Sequence, residues 1–285
     1  MTTLITGGTG KTGIKLARLI HAAGHPVLLA SRKGVAPSPF KAITFDWTDP
    51  ATFENPFKAD PNIDKVYLVA PLILDVLPVV KPFIELAISK GVKRGGVYVG
   101  KVHEYLVERG VDYTVLRPTW FIENLGEFHA QNIRENDEIL SVTKDGRIPL
   151  IGTDDIAKTA YDALFATKSP NTDYFLIGPE LYSYTEVRSD LSFEFNQLRR
   201  LSQAAALLSE TLGRKISHRH LTNDEEIAIF QQFGISPEYA QMLNHAESLI
   251  AEGIEEVLVG QSKAITGTHK LRDFIQANKQ LWIKE

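Results

Sequence analysis

The chain has 285 residues, 44% of them hydrophobic and 23% charged, with a formal net charge of −4, a composition that suits a globular protein able to bury a large core. The mild acidity and the pI near 6.1 give no general reason to expect an affinity for nucleic acid or an anionic membrane surface. The absence of cysteine excludes disulfides, thiolate catalysis and Cys-ligated zinc, and fits an expected cytoplasmic location.

A strand predicted over Thr3–Thr6 begins almost at the first residue, so no signal peptide is expected. It runs into Gly7-Gly8-Thr9-Gly10-Lys11-Thr12-Gly13, where glycines recur at three-residue spacing before a helix predicted over Gly10–Ala23 with the apolar stripe Ile14, Leu16, Ala17, Leu19, Ile20. This context is a dinucleotide site: Gly7 allows the strand-to-helix turn, Gly10 lets backbone approach a pyrophosphate, and Gly13 lets helix pack on strand. Gly10-Lys11-Thr12 also resembles the end of a triphosphate-binding loop, but the first glycine of that motif would fall at position 5, which is Ile5, so a kinase or ATPase is not expected.

The second strand, Val27–Ser31, ends in Arg32-Lys33 and carries no Asp or Glu to hold the ribose 2′-hydroxyl of NAD. Arg32 and Lys33 suit a 2′-phosphate, so NADPH is favoured and NADH is possible. Further strands are predicted over Ala42–Phe45, Lys65–Ala70 and Tyr113–Leu116, and helices over Pro50–Phe57 and Val76–Lys90, an alternation that predicts an α/β doubly wound parallel sheet. Asp46, closing the third strand, is a candidate contact for the adenine end, and Ala70-Pro71, closing the fourth, for the nicotinamide ribose. The apolar run Val66–Val80 is interrupted by Asp75 and is too short to span a bilayer. The domain reading is a cofactor-binding Rossmann core over 1–124, then a mixed segment over 125–285 that returns to the core and forms a smaller substrate lobe, helical and polar from Thr222 onward.

Thr6–Gly13, the segment Tyr113–Asn124 and Asp155-Ile156-Ala157 together resemble the NmrA-like atypical short-chain dehydrogenases. Within that family, Phe45-Asp46-Trp47, Val69–Asp75, Arg117-Pro118-Thr119-Trp120-Phe121 and Gly178-Pro179-Glu180-Leu181 resemble the fungal ergot-alkaloid branch of festuclavine and agroclavine dehydrogenases. The resemblance implies NAD(P)H-dependent reduction of a cyclic iminium to a clavine alkaloid, with a small-molecule alkaloid as substrate and neither nucleic acid nor membrane as partner. A non-enzymatic NAD(P)-sensing regulator of the NmrA type and an NADPH-dependent quinone or enone reductase require the same glycine loop, so the loop alone does not separate these functions.

An iminium already carries the charge that draws in hydride, so no strong acid is required. In keeping with this, Tyr98 and Lys101 are one residue too close for the Tyr-x-x-x-Lys pair of ordinary short-chain dehydrogenases. Lys101 and His103 are the nearest polar candidates for orienting substrate or cofactor, with helix-surface roles as the alternative. Trp120, Phe121 and Asn124, just past the Arg117-Pro118 strand end, are the candidate substrate pocket, the aromatics for stacking and Asn124 for a hydrogen bond. Tyr239 and Met242, on a predicted lid helix, are secondary candidates. His218 and His220 lack a third ligand at useful spacing, and Glu104 is followed by Val107 where a zinc-protease motif needs His, so no metal is expected.

Two departures from the family pattern stand out. After Arg94 a central strand and Ser-rich loop of about 15 residues are missing, so either Val97-Tyr98-Val99 is drawn in as a substitute strand or the sheet has a gap there. Conversely, Arg188–Gln203 is an extra segment between Tyr184-Thr185-Glu186-Val187 and Ala206-Leu207-Leu208-Ser209.

Overall fold

A computed structural model describes residues 1–97, 100–185 and 203–284. The chain forms two compact units, one of Met1–Arg117 with Thr153–Tyr174 and the other of Pro118–Gly152 with Phe175–Glu285. The first contains β1 (Thr2–Thr6), α1 (Lys11–Ala22), β2 (Val27–Ser31), β3 (Lys41–Thr44), α2 (Asn55–Ala59), β4 (Ile63–Tyr67), α3 (Leu77–Ser89), β5 (Arg94–Val97), α4 (Gly100–Arg109), β6 (Asp112–Pro118) and α6 (Thr153–Phe165). The second contains α5 (Ala130–Asn136), β7 (Glu138–Ser141), α7 (Ala204–Leu212), β9 (Ser217–His220), α8 (Asn223–Gln232), α9 (Pro237–Ile250), β10 (Ala264–Thr266) and α10 (Leu271–Ala277), while β8 (Thr172–Ile177) runs across the division. No helix among the described residues is long and apolar enough to cross a membrane.

Six strands pair in parallel in the order β3-β2-β1-β4-β5-β6, and β8 and β10 complete an eight-stranded sheet. This is the expected doubly wound α/β architecture. A two-stranded parallel ladder of β7 and β9 lies in the second unit. All five residues of β1 are buried, as a central parallel strand covered on both faces requires. The buried stripe of α1, Thr12, Gly13, Leu16, Ala17 and Ile20, recurs at helical spacing. Phe83 on α3 anchors the first core: it lies edge-on to Phe45 at 4.9 Å and to Trp47 at 5.5 Å, with no exposed surface of its own.

Two element boundaries move from their predicted positions for local reasons. The fourth strand ends at Tyr67 rather than Ala70 because the backbone N–H of Val69 donates to the Thr6 hydroxyl at 2.8 Å instead of continuing the ladder. The helix predicted over Pro50–Phe57 divides into a single 3₁₀ turn, Pro50–Thr52, capped by Asp49, and α2, which has Pro56 in its first turn.

Of the two outcomes expected after Arg94, a substitute strand or a gap in the sheet, the structure shows a substitute strand, with other bounds than expected. Arg94–Val97 occupies the slot, pairing Val66 with Gly95 and Tyr67 with Gly96 on one side, and Gly95 with Tyr113 and Val97 with Val115 on the other. The substitute therefore begins at Arg94 rather than Val97, and Tyr98-Val99 lies outside the described residues. Its entry is set by Gly91, whose φ of +90° closes α3 with the paired hydrogen bonds Gly91 N to Ile88 O and Val92 N to Ala87 O, both 3.0 Å. Arg94 then anchors the strand, donating Nη1 to the carbonyls of Leu164 at 3.1 Å and Ala166 at 2.6 Å at the C-terminus of α6. Of the extra segment, Arg188–Ser202 lies outside the described residues, whereas its last residue, Gln203, bridges Ser183. The described flanks of that segment thus meet.

Backbone pairing is restored at β5, but side-chain volume is not. A void of about 40 Å³ adjoins Gly95 together with Val66, Phe83 and Leu106, and a second of about 10 Å³ adjoins Gly95 with Tyr67, Thr114 and Leu116. A Cβ built on Gly95 meets nothing within 4 Å. Gly95→Ala is therefore expected to stabilise the protein by about 1 kcal/mol, from lower unfolded-chain entropy and one buried methyl. A urea midpoint that stays the same or falls would show that the space is not available.

Candidate functional site

In the first unit the chain reverses direction at β1, with β2 on one side and β4 on the other, so the carboxyl ends of β1 and β4 form the switch-point crevice in which open α/β sheets bind ligands. The glycine loop sits there. Gly7 takes φ +59°, and a Cβ on it would lie 3.1 Å from the Cβ of Val69, the residue that leads out of β4. A Cβ on Gly13 would lie 2.7 Å from the Gly7 carbonyl oxygen, and one on Gly8 would lie 2.8 Å from Leu29. The close helix-to-strand approach thus belongs to Gly13 and Gly8, while Gly10, exposed beside Thr9, is the N-cap of α1. No side chain caps α1 and no acid occupies its first turn, so the helix presents backbone donors and a partial positive charge suited to a pyrophosphate.

Arg32 and Lys33 follow β2 as exposed side chains on a turn closed by Gly34 N to Ser31 O at 3.1 Å. Asp46 stands near this turn but is engaged locally, its Oδ1 accepting from the Thr48 backbone N–H at 2.9 Å and hydroxyl at 2.8 Å. Those bonds, with the Arg32 charge, hold its carboxyl below the usual carboxylate range. At the other end of the crevice, Val69 leads into Ala70-Pro71, both half-buried, and its carbonyl accepts from Trp47 Nε1 at 3.1 Å. Leu72 and Leu74 follow, 63% and 56% exposed.

The two polar candidates on α4 have structural partners. Lys101 lies on the surface 3.7 Å from Asp75. His103 Nδ1 accepts from Arg117 at 3.3 Å, so its Nε2 carries the proton facing the Tyr113 hydroxyl at 3.2 Å. Arg117 is in turn fixed by Asp173 at 2.9 Å. The chain Asp173-Arg117-His103-Tyr113 ties α4 to β6.

In the second unit, Trp120 and Asn124 line a cavity of about 30 Å³ with Phe128, His129, Phe230, Glu226 and Glu247. The backbone sets Trp120 and Asn124 in place: Ile151 N donates to Trp120 O at 2.9 Å, and the 3₁₀ turn Ile122–Gly126 follows. Phe121 is half-buried, bridges Ile151 and does not line this cavity. Tyr239 and Met242 are carried by α9, as expected, but the cavity takes Glu247 from that helix instead. His218, on β9, bonds the Ser141 hydroxyl at 2.9 Å, and burial holds its pKa down at about 3.

His129, Glu226 and Glu247 were not singled out by sequence reasoning. Glu226 follows the capping-box acid Glu225 and reads as a surface charge. The available signal was periodicity: the buried stripe of α9 is Ala240, Asn244, Glu247, Ile250, with two polar residues at core spacing.

No family model matches the chain. It is 39% identical over 303 aligned residues to an agroclavine dehydrogenase of Claviceps fusiformis, an alignment covering 99% of both chains. It is 35% identical to a festuclavine dehydrogenase of Aspergillus fumigatus over the full length of both chains. Among solved structures, an NADPH complex of an NADPH-dependent quinone oxidoreductase from Escherichia coli shares the fold at TM-score 0.72 and 20% identity, covering 96% of this chain and 99% of that one. The first alignment is longer than the 285 residues of this chain, so it opens gaps in it. The chain is an oxidoreductase of the NmrA-like short-chain dehydrogenase family and belongs to its agroclavine and festuclavine dehydrogenase branch.

Proposed function

We propose that this protein is an NAD(P)H-dependent reductase of a cyclic iminium in clavine alkaloid biosynthesis, with NADPH the preferred cofactor. The observation that carries this is full-length similarity to agroclavine and festuclavine dehydrogenases in a chain whose glycine loop sits at the sheet's switch point. The residues fit a dinucleotide: the close-packed Gly7, Gly8 and Gly13 leave the uncapped start of α1 open to a pyrophosphate, and Arg32 and Lys33, exposed just past β2, are the residues proposed to meet a 2′-phosphate.

When bound, the reduced nicotinamide supplies a hydride to the iminium carbon, and the C=N π electrons become the lone pair of a neutral amine. That reaction needs no proton, so the chain's task is to orient the two partners and exclude water. The engagement of Lys101 with Asp75 and of His103 with Arg117 and Tyr113 agrees with a mechanism in which neither acts as an acid. Trp120 and Asn124, half-buried and buried respectively, are the proposed substrate contacts.

Incubation with NADPH and a panel of cyclic iminium, enone and quinone compounds tests this directly. Turnover is expected with the iminium, whereas binding of oxidised and reduced cofactor without turnover of any substrate would indicate a sensor. Lys101→Ala is expected to retain substantial turnover and Trp120→Ala to lose at least about tenfold in kcat/KM. A collapse of about 100-fold in kcat for Lys101→Ala with binding intact would indicate obligatory acid catalysis.

Cofactor choice has its own test. A charge-assisted hydrogen bond to the 2′-phosphate contributes about 1.5–3 kcal/mol, so Arg32→Glu is expected to weaken NADPH by roughly 10- to 150-fold while NADH changes little. Equal effects on the two cofactors in calorimetry would assign Arg32 to solvent alone.

A further inference from the structure

The first unit keeps an apolar run on its surface. Leu72, Ile73 and Leu74 are 63%, 37% and 56% exposed, and among the described residues they are the only consecutive large hydrophobic side chains left in solvent. Single exposed apolar residues are ordinary, whereas a continuous run marks a surface that another apolar body covers.

Both ends of the run are fixed. Before it, the Val69 N–H donates to the Thr6 hydroxyl at 2.8 Å and the Val69 carbonyl accepts from Trp47 Nε1 at 3.1 Å. Within it, Ile73 N donates to Pro71 O at 3.0 Å, a three-residue turn centred on Leu72. After it, Val76 is buried in the first core and its carbonyl accepts from Val80 N at 3.1 Å, which starts α3. The leucines are therefore held outside the core by the backbone on either side.

The place of the run in the fold indicates its occupant. Val69 packs against Gly7, so the run leaves β4 at the switch-point crevice, and three residues of chain keep Leu72 within about 11 Å of Val69. Val69–Leu74 carries no charged residue, so this surface suits hydrocarbon rather than the phosphates of a dinucleotide. In the second unit the cavity at Trp120 and Asn124 has about 30 Å³, room for roughly two or three water-sized groups. A fused ring system needs apolar area beyond that cavity.

We propose that Leu72 and Leu74 are specificity-determining residues, an apolar ledge at the β4 side of the crevice on which the fused rings of the substrate lie beside the cofactor. The inference rests on the iminium-reductase reading for the reacting bond but not for the apolar contact. Burial of the two leucines then contributes to substrate affinity in proportion to ring area, and leaves cofactor affinity alone.

The probes are N-methyl-3,4-dihydroisoquinolinium and N-methyl-1-pyrrolinium, which share the charged C=N bond but differ by a fused ring, titrated calorimetrically into the full chain with NADP⁺ present so that no hydride is transferred. The fused-ring cation is expected to bind at least about tenfold tighter than the monocyclic one. Leu72→Ser/Leu74→Ser, at exposed positions that the fold tolerates, is expected to bring that ratio below about threefold with NADP⁺ affinity unchanged. Leu72→Met/Leu74→Met keeps the apolar area and is expected to keep the ratio. A ratio near one in the unaltered chain, no binding of either cation, or a ratio that the serine variant leaves intact overturns the proposal. An equal loss of NADP⁺ affinity would overturn it by assigning the leucines to the cofactor, and a dimer lost on substitution would do so by assigning them to a second copy of this chain. With NADPH the same compounds read turnover: a ring-size preference without hydride transfer would remove the reductase reading and leave this one standing, and transfer without that preference would do the reverse.

Discussion

Helix α1 approaches the end of β1 so closely that one methyl group at position 13 would sit 2.7 Å from the carbonyl oxygen of Gly7. Much of the first unit follows from that contact. It brings the uncapped first turn of α1 to the crevice between β1 and β4, and it places Gly7 against Val69. The polypeptide leaving β4 is then tied to β1 through the Thr6 hydroxyl. Crowding among backbone atoms thus leaves the uncapped start of α1 open at this crevice, with glycine as the residue that tolerates it.

The fifth strand shows how unequal the demands of a sheet are. Its neighbours need hydrogen-bond partners on both edges, and any four residues with extended backbone supply them. Arg94-Gly95-Gly96-Val97 meets that demand and adds an anchor in the carbonyls at the end of α6. Filling the space above and below the strand demands side chains, which two glycines lack, and voids adjoin Gly95. Continuity of the ladder and density of the core are separate requirements, and this chain satisfies the first better than the second.

In the second unit the dominant feature is electrostatic. Two buried carboxyls from successive helices, Glu226 and Glu247, line one cavity with aromatic rings and a histidine kept neutral by burial. The helix bearing Glu226 is fixed by its capping box, Thr222 with Glu225, and the Asn244 amide binds Glu226 across to α9. The same contacts that pack α8 on α9 therefore hold the Glu226 carboxyl in place.

The sequence by itself determined the doubly wound sheet, the glycine cradle and the basic end of β2, because each depends on residues close in the chain: periodicity, glycine spacing and the absence of an acid within one strand-turn segment. Trp120 and Asn124, singled out because they lie just past a recognisable strand end, do line one cavity. Only the tertiary structure decided the rest. It filled the β5 slot with Arg94–Val97, because pairing depends on what flanks a strand rather than on its own apolarity. It tied His103 to Arg117 and Tyr113, and it brought Glu226 and Glu247, 21 positions apart in the sequence, to the lining of one cavity. A surface acid and a buried one are the same letter. What distinguishes them is desolvation by neighbours that folding brings together from distant parts of the chain.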